Sequence, residues 1–85
     1  MVAGLPSGVH EVSLYALPGL AGRLYTRTQE DGSIRIIRPR TAELQEFVFE
    51  LVREVGARYD AKTGEWVVPV ERAMQFVYTM ERLCL

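Results

Sequence analysis

Arginine is the residue type whose number and spacing in this chain most suggest chemistry. Nine of the ten basic residues are arginine, and five of them fall within residues 1–40. A guanidinium group is always charged and can bind a phosphate or a carboxylate through two parallel hydrogen bonds. A GC-rich genome or a hot habitat produces the same bias. We therefore ask which of the arginines the fold would bring together.

The other reactive residue types do not form a catalytic constellation. His10 is the only histidine, and Glu11 points to the opposite face of the same predicted strand. Cys84 is the only cysteine, which excludes an intrachain disulfide, and we expect a buried, inert thiol. Four glutamates share one face of a predicted helix, as is typical of a solvated surface: Glu43, Glu46, Glu50 and Glu54. The sequence therefore predicts that the protein is not an enzyme and has no metal site and no cofactor.

Length and composition predict one small globular domain. The chain has 85 residues, of which 48% are hydrophobic and 25% charged, and its net charge is −1. Residues 1–8 are small and turn-prone and predict a flexible N-terminal arm, with the domain over residues 9–85. No basic stretch opens the chain, and the uncharged run at residues 12–22 is too short to span a bilayer. We therefore expect a cytoplasmic protein without membrane contact.

Two segments that carry arginines are predicted to pair as a β-hairpin, over residues 22–29 and 33–38. The three-residue loop between them ends in Gly32, which suits a left-handed position and sets Arg27 opposite Arg35. One face then carries Leu24, Thr26, Thr28, Ile34 and Ile36, and the other carries Arg23, Tyr25, Arg27, Arg35 and Ile37. Because a slip of one residue would mix isoleucine and arginine on both faces, this register is favoured.

The remaining elements follow from periodicity and capping residues. Residues 10–17 alternate as a half-buried strand, with Val12, Leu14 and Ala16 on one side. Thr41 is the expected N-cap of a helix that ends at Gly56, with an apolar stripe formed by Leu44, Phe47, Val48, Leu51, Val52 and Val55. Short strands follow at 57–59 and 65–68. A second helix, from about residue 70 to 84, has the stripe Ala73, Val77, Met80 and Cys84, broadened by Met74, Phe76 and Leu83. The predicted fold is an α+β domain of order β-β-β-α-β-β-α, with an antiparallel or mixed sheet and both helices on one face.

The arginine-bearing face of the hairpin is the first candidate binding surface. Arg27 opposite Arg35 is a repulsive pair, which requires a counter-ion. That partner is a nearby glutamate such as Glu11 or Glu30, a phosphate, or a carboxylate surface of another protein. In the phosphate interpretation Tyr25 offers a ring for base stacking. The candidate nucleic-acid contacts are Arg23, Tyr25, Arg27, Arg35, Arg38, Arg40, Arg58 and Lys62.

Two further aromatic residues define alternatives. Trp66 is either part of the core or, with Arg58, Tyr59 and Lys62, an exposed stacking and phosphate-contact site. Phe49 falls outside the apolar stripe of the first helix. We expect it to be exposed and to contact a protein partner or a second copy in a homodimer.

The segment GARYDAKTGEWVVPVERA resembles the HARP-type module found beside annealing-helicase motors, and similar small modules of phage and plasmid replication proteins. The matching residues are Gly56, Ala57, Arg58, Tyr59, Asp60, Lys62, Thr63, Trp66, Val68 and Pro69. The resemblance covers about residues 34–83 and implies contact with single-stranded or branched DNA, although no motor sequence is present. The leading hypothesis is a nucleic-acid-binding accessory module of a replication or repair machine. The alternative is a small protein-binding adaptor or inhibitor, for example one encoded by a phage.

Overall fold

The structure, a computed structural model, describes residues 12–84, which form an antiparallel five-stranded sheet with two helices packed on one face. Along the sheet the order is β1-β2-β3-β5-β4. The elements are β1 (Val12–Tyr15), β2 (Leu24–Thr28), β3 (Ile34–Ile36), α1 (Ala42–Val55), β4 (Arg58–Asp60), β5 (Glu65–Val68) and α2 (Val70–Leu83). The predicted class and element order are confirmed, and the sheet is antiparallel throughout. The predicted N-terminal arm and His10 lie outside the described residues.

The β2–β3 hairpin has the predicted register. Gly32 adopts a φ of 92°, and its N–H donates to the Gln29 carbonyl at 2.9 Å, which closes the turn. Arg27 lies opposite Arg35 and Thr28 opposite Ile34. The predicted apolar face is the one that the helices cover, because Leu24, Thr26, Ile34 and Ile36 are all buried. The arginine face is therefore the open face of the sheet.

Helix α1 begins and ends at the predicted caps. The Thr41 hydroxyl accepts a hydrogen bond from the Leu44 N–H at 3.1 Å. Gly56 adopts the left-handed conformation, with a φ of 68°, that a helix C-cap glycine supplies. Five residues of the predicted stripe are buried, but Phe47 is only half-buried at the edge of the core. Phe47 was predicted to be buried with the rest of the stripe, and this part of the prediction was wrong.

Helix α2 follows Pro69 directly and packs on the same face of the sheet as α1. Its buried residues are Phe76 and Met80, whereas Met74 is 81% exposed and Leu83 43% exposed. The predicted stripe was too wide, because Met74 and Leu83 lie outside the face of α2 that is buried against the sheet and α1. Each helix has 14 residues, and within residues 12–84 no helix is long and apolar enough to cross a membrane.

The sheet has one covered face and one open face, and β1 shows which side chains lie on each. Tyr15 faces the helices, where its ring meets Phe76 edge-on at 6.4 Å. Val12 and Leu14 are 59% and 53% exposed, because their register opposite Arg27 and Tyr25 places them on the open face. Antiparallel sheets commonly leave one face to solvent. Here that face combines apolar side chains with arginines.

Candidate nucleic-acid interface

Arg35 lies at the centre of a polar network on the open face. Its Nη1 donates to Asp60 Oδ2 at 3.0 Å and to Glu65 Oε1 at 3.1 Å, and its Nε donates to Gln29 Oε1 at 2.8 Å. The carboxylates come from β5, which lies beside β3, and from β4, the edge strand beyond β5. The guanidinium is thus held from three sides by the chain's own acceptors.

This network shows that Arg35, one member of the Arg27–Arg35 pair, is neutralised by carboxylates of the chain itself. Among the described residues, Arg35 forms ion pairs with Asp60 and Glu65, which the sequence analysis did not name, whereas the candidate Glu11 lies outside the described residues. Hydrogen bonding to Arg35 holds the pKa of the Asp60 carboxyl below its ordinary value, and the Lys62 backbone N–H adds to the effect. The Arg35 side chain is 20% exposed. Because its guanidinium already binds acceptors of the chain and is largely covered, Arg35 has a structural role and is not a candidate phosphate contact.

Three other predicted arginines meet in a groove at the end of the sheet beside the start of α1. The groove has a volume of about 300 Å³. Its lining residues are Gly22, Arg23, Tyr25, Ile37, Arg38, Pro39, Arg40, Thr41 and Leu44. We call it the arginine groove. Its lining contains three guanidinium groups and no carboxylate, and Arg23, Arg38 and Arg40 are all exposed.

Local structure explains why these arginines converge. Gly22 has a φ of 83°, and the tight bend at this residue places Arg23 directly before β2. Pro39 cannot continue the β3 ladder, so the chain turns from β3 into the N-cap of α1 and leaves Arg38 and Arg40 on either side of the turn. The stem of Arg38 crosses Gly64, where a β-carbon would lie 3.4 Å from its Cδ atom. The stem of Arg38 thus lies within van der Waals distance of the β4–β5 turn.

The remaining predicted contacts are dispersed. Arg27 is half-buried on the open face, one strand from the Arg35 network. Arg58 lies on the edge strand β4, beside the polar groove described below. Lys62 is exposed at the tip of the β4–β5 turn. The sequence therefore predicted eight contacts, of which Arg23, Tyr25, Arg38 and Arg40 share one groove.

Trp66 lies on the helix side of the sheet and is half-buried in an aromatic cluster. The Phe49 ring meets it edge-on, with the centroids 6.3 Å apart, and the Tyr59 ring lies at 5.1 Å with a tilt of 57°. Phe49 is 52% exposed, which confirms the predicted exposure, while its contact with a partner stays a prediction. The hydrophobic pattern gave no sign that Phe49 and Trp66 would meet, because that contact depends on where α1 crosses the sheet.

Two further grooves carry the opposite charge balance. A polar groove of about 590 Å³ contains Arg35 and Arg58 but also Asp31, Asp60 and Glu71. A groove of about 500 Å³ between the helices has the apolar side chains of Leu20, Phe47, Leu51 and Leu83 and a rim of Glu43, Glu46, Glu50 and Glu54. We call the latter the helix groove. Of these grooves, the arginine groove is the one suited to an anion.

The remaining candidates for metal or thiol chemistry are the acidic side chains and Cys84. No group of three or more His, Cys, Asp or Glu side chains within residues 12–84 could hold a metal ion. Cys84 is half-buried near the end of α2, and burial raises the pKa of its thiol, which lowers the fraction of reactive thiolate.

Comparison with protein-family models, curated proteins and solved structures gave no match. The HARP-type resemblance therefore stays a hypothesis resting on the residues quoted above.

Proposed function

We propose that this protein is a nucleic-acid-binding accessory module without enzymatic activity, and that it holds the backbone of single-stranded or branched DNA in the arginine groove. The observation that supports this function best is the composition of that groove, in which Arg23, Arg38 and Arg40 line about 300 Å³ without a carboxylate. The HARP-type resemblance points in the same direction and suggests a replication or repair machine as the setting.

Phosphate fits the groove for three reasons. Arginine binds phosphate oxygens through paired, charge-assisted hydrogen bonds. The groove opens beside the N-terminal end of α1, whose dipole favours negative charge. Tyr25 is 48% exposed at the same groove and offers a ring on which a base can stack without regard to sequence.

The net charge of −1 does not conflict with this proposal, because the charges are segregated. Residues 1–40 carry five arginines against three acids, whereas residues 41–85 carry five basic residues against eight acids. Four of those acids line the helix groove, and two neutralise Arg35. Local potential, not net charge, determines where an anion binds.

The proposal predicts modest, salt-dependent affinity. Three phosphate contacts to a single strand, at about 0.7 each, give a log–log slope of roughly −2 for affinity against salt concentration. Fluorescence anisotropy of a labelled oligothymidylate at several salt concentrations measures this slope. Arg23→Ala with Arg40→Ala should reduce its magnitude by about 1–2 and weaken binding similarly for all sequences.

The matched control is Arg72→Ala, which removes an exposed arginine on α2 that lines none of the grooves described. It should leave the slope unchanged. Wild-type protein that does not bind single-stranded or forked DNA at low salt would end the nucleic-acid proposal. So would a double variant with the wild-type slope.

A protein-binding adaptor is the second candidate, and the helix groove favours it. An apolar floor with a glutamate rim suits a basic amphipathic helix, which would lay its leucines between α1 and α2. Calorimetry measures whether a designed lysine–leucine helix binds the wild-type protein. Leu83→Asp, which changes a residue of the helix groove, should weaken that binding. Light scattering of wild type and Phe49→Asp tests self-association through Phe49. A monomer in both proteins, with no peptide bound, would remove the adaptor reading.

A further inference from the structure

Phe49, Tyr59 and Trp66 line a small pocket that the arginine groove does not include. The pocket has a volume of about 200 Å³, and its walls come from α1, β4 and β5. Phe49 and Tyr59 are 52% and 56% exposed, so large parts of both rings face solvent. Trp66 is the most buried of the three and meets both other rings. We call this the aromatic pocket.

The aromatic pocket and the arginine groove share a wall. Arg38 and Pro39 line both, and Arg38 lies across Gly64, which belongs to the aromatic pocket. Neither lining contains an aspartate or a glutamate. A ligand that spans the two sites therefore needs an anionic part for Arg38 and a flat, apolar part for the rings.

We propose that the aromatic pocket takes one unstacked nucleobase of a bound strand, whose adjoining phosphate is held by Arg38. This inference rests on the proposed function and adds a base-binding site to it. The rings are inclined to one another, at 85° for Phe49 with Trp66 and 57° for Tyr59 with Trp66. The base therefore stacks on one exposed ring rather than between two parallel rings.

Gln45 gives this pocket a polar group beside its aromatic walls. It lies one helical turn before Phe49 on α1 and lines the same pocket. Its amide has two N–H donors and a carbonyl acceptor. These groups can pair with the acceptors and donors at the hydrogen-bonding edge of a base. A peptide aromatic side chain would use the rings but would leave Arg38 without an anion, so a nucleotide fits the combined site better.

Trp66 is the only tryptophan in the chain, so its fluorescence reports on the aromatic pocket directly. We would titrate the protein with an oligothymidylate and with an abasic strand of the same length, which keeps the phosphates and lacks the bases. Both strands should bind with salt-dependent anisotropy, but only the thymidylate should quench Trp66. Tyr59→Ala should weaken thymidylate binding about 5- to 150-fold and leave abasic binding unchanged.

The control variant is Tyr78→Ala, which removes a tyrosine that is 65% exposed on α2 and lines none of the described grooves. Circular dichroism and a thermal melt confirm that each variant is folded, and Phe49→Leu repeats the test at a second ring. Salt-dependent binding with unchanged Trp66 emission, or equal loss for both strands in Tyr59→Ala, would overturn the base pocket while leaving the proposed function intact. Binding of neither strand would overturn both. A dimer in light scattering that Tyr59→Ala dissociates would assign the pocket to a second copy of the chain and overturn the base pocket.

Discussion

Replacing Gly32 by alanine tests how the β2–β3 turn docks against α2. Gly32 has a φ of 92°, and a β-carbon added there would lie 2.9 Å from the Cγ2 atom of Val70. Gly56 provides the matched control, because its φ is 68° and a β-carbon there meets no atom within 4 Å. Both substitutions place an L-residue in the left-handed region, but only the first also forces a contact between the turn and the helix.

The expected costs follow from these two geometries. A left-handed conformation costs an L-residue about 1–2 kcal/mol. A forced contact in a packed site adds about 1–3 kcal/mol. In both variants alanine also reduces the conformational entropy of the unfolded chain, which offsets about 0.4–1 kcal/mol of the loss. Gly32→Ala should therefore lower the free energy of unfolding by about 1–5 kcal/mol, and Gly56→Ala by about 0–1.5 kcal/mol.

Equilibrium urea unfolding, followed by Trp66 fluorescence, measures both changes as shifts in the midpoint at constant m-value. Val70 is 50% exposed, so Val70→Ala alone should cost little, and in the Gly32→Ala background it should recover the contact part of the loss. The reasoning is refuted if Gly32→Ala costs no more than Gly56→Ala, or if Val70→Ala gives no recovery in the double variant.

Two further predictions concern the core and the Arg35 network. Phe76→Ala should lower the free energy of unfolding by about 3–5 kcal/mol in the same urea experiment, because Phe76 is the largest fully buried side chain. The half-buried Phe47 should cost less when truncated, and equal costs would contradict the observed packing. Because Arg35 holds the pKa of Asp60 below its ordinary 3.8, the stabilisation is present above that pH and is lost as pH falls through the lower, folded-state pKa. Stability should fall less steeply with acid in Arg35→Gln than in wild type, and identical acid profiles would exclude the assigned role of Arg35.

The local parts of the fold could be predicted because the chain signals them with neighbouring residues. Gly32 fixed the hairpin loop, and the requirement for one apolar face then left a single clean register. Thr41 and Gly56 fixed both ends of α1 by hydrogen bonding and backbone conformation. These features depend on contacts within a few residues, so periodicity and capping rules describe them well.

The site could be predicted only in part, because its geometry depends on distant strands. Asp60 and Glu65 reach Arg35 only because β5 lies beside β3, and strand order is not encoded in periodicity. The prediction that Arg27 lies opposite Arg35 was therefore correct, but it did not include the two carboxylates that bind Arg35. Arg38 and Arg40 are close in sequence, and the predicted hairpin brings Arg23 to the same end of the sheet. That Arg38 also lines the pocket with Trp66 depends on the position of β5 and could not be predicted.

The sheet order also has a consequence for how the chain folds. The segments β2-β3-α1 and β4-β5-α2 are two hairpin–helix halves, and β3 meets β5 along a seam where Ile34 lies opposite Val68 and Ile36 opposite Trp66. Every other strand pairing joins consecutive strands and closes a short loop. The pairing of β3 with β5 instead closes a long loop that contains α1 and β4. Local hairpins and helices form within microseconds, whereas non-local pairing carries the larger entropic barrier. We therefore expect docking of the two halves at this seam to be the step that sets the folding rate.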